Sequence, residues 1–177
     1  NNVIFKNGLA ISCQFLGDSH TLLGNLDKAL RFYEEYNRLE KELYDAYPNN
    51  VDFKNVLAIS YEKLGETHTL LGNLDKALGF FGERSRLSKE LYDAYPNNVV
   101  YKNGLAISYA KLGQTNSSLG YLSKALEFYD EANRLEKELY NSYPTNVEFK
   151  NSLAFSYFEL GVTQKSLGNL VKALEFF

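Results

Sequence analysis

The chain has few of the residues that break or cross-link a fold. Of 177 residues, three are proline, twelve glycine and one cysteine, and tryptophan and methionine are missing. A lone thiol, Cys13, excludes an internal disulfide framework, which points to an intracellular, cytoplasmic setting. Apolar runs reach only a few residues, so no segment can cross a bilayer as a helix. There is no excess of basic residues: 19 Lys and Arg stand against 22 Asp and Glu, a net charge of -3. That leaves out the basic stripe which nucleic acid selects. No secretory leader precedes Asn1, and a chain that starts at asparagine reads as a processed or cut fragment.

Aromatic residues are abundant, with 14 Tyr and 12 Phe, and they recur at a fixed step. Pro48, Pro96 and Pro144 are 48 residues apart, as are Gly17, Gly65, Gly113 and Gly161, and Gly24, Gly72, Gly120 and Gly168. The period defines one repeat array over 1–177, with units 3–50, 51–98 and 99–146 and a partial unit 147–177. The first two units agree at roughly three quarters of their positions, well above what shared architecture requires. Each unit reads as two helices. Phe53, Leu57, Tyr61, Leu64, His68 and Leu71 follow at gaps of three and four, one face of a helix. Gly72 suits the left-handed end of that helix, Asn73 caps the next, and Asp75 sits where the helix dipole favours a carboxylate. The second helix carries Leu74, Ala77, Phe81, Leu87, Leu91 and Tyr95 and stops before Pro96. Asn97, Asn98 and Thr145 are candidate caps, and Thr145 with Glu148 has capping-box spacing. A link of one or two residues makes the helices antiparallel, and such hairpins bury their apolar faces by stacking.

The run Leu64-Gly65, His68, Leu71-Gly72-Asn73-Leu74-Asp75-Lys76-Ala77-Leu78 and Phe80-Phe81 resembles the tetratricopeptide repeat, four times over. The resemblance implies an all-α, right-handed α-solenoid of antiparallel helix hairpins. It implies close approach of Gly65 to Ala77, and packing between units by Tyr33, Phe81, Tyr129 and Phe177. Two features depart from the family. The unit exceeds the usual length of about 34 residues, and Tyr36 and Arg84 occupy a second-helix site where only Ala132 keeps the small residue.

The resemblance also implies a protein-interaction scaffold that holds a protein or extended peptide on the concave face of the first helices. Helical geometry places Asn7, Gln14, Asp18, Asp52, Asn55, Glu62, Glu66, Asn103, Ala110, Gln114, Asn151, Phe158 and Val162 on that face. The copies differ most there: Gln14, Glu62, Ala110 and Phe158 share one position, and Asp18, Glu66, Gln114 and Val162 another. Such freedom means either idle solvent exposure or tuning to a ligand. At face value the groove is acidic in the first two units and apolar in the last two, which suits a partner basic at one end and apolar at the other. Asn7, Asn55, Asn103 and Asn151 do not vary. Their amides donate and accept together, so they can read a peptide backbone; the plainer alternative is a bond to a neighbouring unit or a relic of duplication. The lysines and asparagines of a carboxylate clamp are not at the matching sites.

No catalytic, cofactor or metal chemistry emerges. His20 and His68 occupy core-stripe sites taken elsewhere by Asn116 and Gln164, and Cys13 replaces Tyr61, Tyr109 and Tyr157 as a small hydrophobe. No nucleophile and base come together, and Gly-Asn-Leu-Asp-Lys lacks the ending of a phosphate loop. The run Glu34 to Glu42 reads as a solvated flank with charge pairs. The alternatives to a scaffold are a rod that self-associates end to end through its C-terminal hairpin, and the sensor arm of a larger signalling protein.

Overall fold

The computed structural model describes residues 3–177. Among them are eight α-helices and no strand: α1 (Val3–Leu22), α2 (Leu26–Ala46), α3 (Val51–Leu70), α4 (Leu74–Ala94), α5 (Val99–Ser118), α6 (Leu122–Ser142), α7 (Val147–Ser166) and the short α8 (Leu170–Phe176). The first helices start 48 residues apart. The chain packs as two compact units divided after Leu87, within α4. The first unit packs α2 against α1 and α3; the second packs α6 against α5 and α7, and α8 against α7.

Local chemistry explains the helix ends. Gly24, Gly72, Gly120 and Gly168 have φ between 71° and 82°, a conformation that strains any side chain with a Cβ. The next amide then reaches back five residues, Asn25 N–H to the His20 carbonyl at 2.9 Å and Asn73 N–H to that of His68 at 2.8 Å, which closes a Schellman turn. At the other links, Asn50, Asn98 and Asn146 cap α3, α5 and α7: each side-chain oxygen accepts from the two amides that follow one residue on. The Thr145–Glu148 capping box is not formed. Asn146 N–H bonds the Tyr143 carbonyl at 3.0 Å, so Pro144 and Thr145 make the middle of a turn and the cap falls one residue later. Asn25 and Asn169 begin α2 and α8 without a side-chain cap bond, because ψ near 60° turns them away from the next amides. The Asn169 amide instead donates to Gln164 Oε1 at 2.9 Å.

Within each hairpin a second-helix ring lies on a first-helix glycine. A Cβ on Gly17 would stand 2.5 Å from Tyr33, on Gly65 2.6 Å from Phe81, on Gly113 2.6 Å from Tyr129 and on Gly161 2.7 Å from Phe177. The group that forbids bulk at Gly65 is therefore the Phe81 ring rather than Ala77. The same aromatic also serves the stack, since Tyr33 and Tyr36 share a cluster with Leu64 of the next hairpin. Leu57 and Leu105 are 3% and 2% exposed, each in a cluster with Leu87 or Leu135. His20 and His68 stack flat on Phe32 and Phe80 at 5.4 and 5.3 Å, and Cys13 is buried.

The Glu34–Glu42 run is only partly solvated. Arg38 pairs with Glu35 and Glu42 on the surface, but Glu40 is wholly buried. Its place in the stripe, three residues after Asn37 and four before Tyr44, turns it inward with them.

Replacing Gly65 by alanine is expected to lower stability by about 1–3 kcal/mol, the usual cost of overpacking. Urea unfolding of G65A and of G65A/F81L measures this, and the smaller leucine should recover part of the loss.

Candidate functional site

Residues seven and eleven apart on a helix share a face. Thus Asn7, Gln14 and Asp18 line one side of α1, and Asp52, Asn55, Glu62 and Glu66 the matching side of α3, all in the first unit. Asn103, Ala110 and Gln114 of α5 and Asn151, Phe158 and Val162 of α7 do the same in the second. Asp52, Asn151, Phe158 and Val162 are exposed, and the others half-buried.

In the first unit the acids of this face have counter-ions that the sequence reading did not assign. Asp18 Oδ1 accepts from Tyr33 Oη and from Lys63 Nζ, both at 2.7 Å. The Lys63 ammonium also lies 5.8 Å from the centre of the Tyr33 ring. Burial and the Asp18 carboxylate push the Tyr33 phenol well above its ordinary range, so it stays a donor. Arg84, 4% exposed, meets Glu62 at 2.7 Å. Burial pulls its guanidinium below the ordinary value, and the charges of Glu62 and Glu66 oppose that shift. Two cations are thus threaded among three carboxylates, and only part of the apparent negative charge faces outward.

The second unit has a different lining. Ala132 is buried where the first unit has Tyr36 and Arg84, and Ala110 and Phe158 stand in the places of Gln14 and Glu62. Phe158 is 53% exposed and Phe155 46%. The Phe158 ring centre lies 6.3 Å from that of Phe177, which itself covers Gly161. Glu159 replaces the lysine of position 63 and hydrogen-bonds the Tyr129 hydroxyl, whose ionisation burial also suppresses. Among the described residues no three His, Cys, Asp or Glu side chains converge as metal ligands, and no helix is long and apolar enough to cross a membrane.

The sequence signal for the hidden counter-ions was present. Arg84 breaks the small-residue rule of its site in the same hairpin that carries Glu62 and Glu66. A buried arginine needs an acid, and the acids nearest in register were those two.

Helix hairpins of constant length with a glycine at each crossing define an all-α repeat solenoid. The family profile described as the tetratricopeptide repeat matches residues 10–42 and 106–139, one stretch in each compact unit, which supports a protein of the tetratricopeptide-repeat family. Among solved structures, BtubC (BKLC) from P. vanneervenii is similar, with a TM-score of 0.77 and 18% identity over 97% of this chain and 61% of that one. The chain therefore spans less than two thirds of that relative, and the likeness is one of fold. Two structures of MamA align with TM-scores of 0.47, at 20% and 21% identity, over 97% and 92% of this chain and 89% and 90% of theirs. No curated protein matches the chain in sequence.

Removing one partner of the Arg84–Glu62 pair strands a charge. Arg84→Ala is expected to cost about 3 kcal/mol, the low end for a buried pair because Glu62 keeps some solvent. R84M/E62L should lose much less, and urea unfolding of both variants makes the comparison.

Proposed function

We propose that the first-helix faces of the two units each hold a segment of a protein partner, and that the units differ in the chemistry they accept. Tetratricopeptide repeats generally mediate protein–protein interaction, and members of the family are typically not enzymes. Here the carrying observation is the exposed apolar lining of α7: Phe155, Phe158 and Val162 lie on the face where the first unit places Glu62 and Glu66. Aromatic side chains left half in water dominate binding energy when a partner covers them. This face suits an extended peptide with an apolar anchor, and Asn151, one turn before Phe155 on α7, suits its backbone. The face of the first unit suits a basic segment through Asp52 and Glu66, less strongly than a count of its acids suggests, because Lys63 and Arg84 balance part of the charge.

A second reading, self-association, draws on the apolar side chains that α8 leaves exposed, Leu170, Val171 and Leu174. Sedimentation at rising concentration, compared with L174E, tests it. A monomer throughout rules it out.

For the binding reading, an array of peptides is probed with wild type and with F158D. Phe158→Asp should weaken the apolar-anchored peptides by about tenfold or more, as loss of a central aromatic does, while the thermal midpoint holds. D52K/E66K should weaken only the basic peptides. Unchanged affinity in both variants would remove the proposal.

A further inference from the structure

Two carboxylates lie where a carboxylate is least at home. Glu40 of α2 is 0% exposed and Glu136 of α6 is 6% exposed. Neither oxygen of Glu40 has a hydrogen-bond partner, nor has Oε2 of Glu136. The two are 96 residues apart, the same position in two copies of the repeat.

That position is the seam between hairpins. In the first unit Asn37 Nδ2 donates to Ser60 Oγ of α3 at 2.8 Å, and Tyr44 packs on Leu57 and Ala58 of α3. Glu40 sits between them on the same stripe of α2, so it is pressed into the α2–α3 seam. In the second unit Asn133 Nδ2 donates to Ser156 Oγ of α7 at 2.9 Å, and the Ser156 hydroxyl also bonds Glu136. Among the described residues no Lys or Arg forms an ion pair with either acid, and burial is what chiefly acts on both carboxyls. In the first unit Tyr36 feels the charge of Glu40 and of Asp18 on α1 and shares a cluster with Cys13; Tyr44 and Tyr61 pack in the neighbouring α2–α3 cluster, with Lys54 over the Tyr44 ring. In the second unit the titratable groups packed in the flanking clusters are Tyr92 and Tyr109 beside Leu135, and Tyr129 beside Leu160 of α7, with Glu159 of α7 on the Tyr129 hydroxyl. The second copy, 51–98, has Ser88 here, also buried, so the architecture does not call for an acid.

An ionised carboxylate buried in a seam with no countercharge is costly, and the cheap state is the neutral acid. We propose that Glu40 and Glu136 are proton-dependent clasps: the α2–α3 and α6–α7 seams close tightly when the acids are neutral and loosen when they ionise. Burial lifts both carboxyls from their ordinary 4.5 to about 7, which puts the change near neutral pH. The direction follows from linkage. An acid raised in the folded state stabilises below its unfolded value, and that stability is lost as pH climbs through the folded value. His68, lowered chiefly by burial, acts the other way in the first unit, which loses stability as pH falls below the ordinary imidazole range. The second unit has Asn116 and Gln164 at those sites, so there Glu136 acts without that opposition. The clasp is independent of what the first-helix faces bind.

The test uses the whole chain as wild type, E40Q, E136Q and E40Q/E136Q. Glutamine keeps the shape and removes the proton. Urea unfolding from pH 5 to 8 should show the wild-type folding equilibrium weakening by roughly tenfold to a hundredfold per carboxylate relative to the matching glutamine variant. Carbon-13 NMR of the glutamate carboxyls in wild type should show two that titrate near neutrality, both missing from the double variant. A wild-type-to-variant difference that does not change with pH, or glutamates that all titrate in the ordinary range, would overturn the clasp; the NMR result stands even if a variant folds poorly.

Discussion

Everything in these hairpins depends on how near two helices can come at one crossing. The glycine of the first helix has no side chain, and the aromatic of the second fills the space it leaves, so ring and backbone meet at van der Waals distance. That contact sets the spacing of the pair. The spacing then brings the far side of the ring to the next hairpin, where Tyr33 joins Leu64 and Lys63. One residue thus serves the hairpin and the stack together. This is why bulk at the glycine disturbs both, and why four copies keep it while other positions drift.

The drift is itself ordered. Where the second helix brings Arg84, the first brings Glu62 and Glu66; where it brings Ala132, the first brings Ala110. Where the packing ring is tyrosine its hydroxyl finds an acid, Asp18 for Tyr33 and Glu159 for Tyr129; where it is Phe81 there is no hydroxyl to satisfy. Part of the variability on the first-helix face is therefore internal compensation, in which a polar group half out of water is matched by its neighbour. The first unit's acids belong largely to this class.

The fold was legible because its signals are local and repeated. Helix periodicity, a glycine at each tight link and a proline before each new unit all recur at one step, and agreement among copies averages away the noise of any single position. Asn98 caps α5 as its place after Pro96 suggests, but at the next link the cap is Asn146 rather than Thr145, since asparagine and threonine are both good caps and only the turn around Pro144 decides between them. The candidate face was legible as a surface but not in its electrostatics. Helical geometry gives direction from sequence spacing, whereas the pairing of Lys63 with Asp18 joins residues 45 apart. Glu40 was misread for the same reason: in a run of charged residues, one acid facing a seam looks like its neighbours until the adjoining hairpin is in place.

What internal compensation leaves unexplained is then the better guide to function. Phe158 and Phe155 are not matched to any polar partner and are not buried by the fold; each leaves about half its surface in water. The equivalent places in the first unit carry Glu62 and Ile59, so the repeat does not demand aromatics there. Leaving two phenylalanines half in water forgoes the burial energy that aromatic side chains otherwise supply. Under the proposed binding reading a partner covers them, on α7 and on the face shared with Asn151, rather than among the acids that first draw the eye.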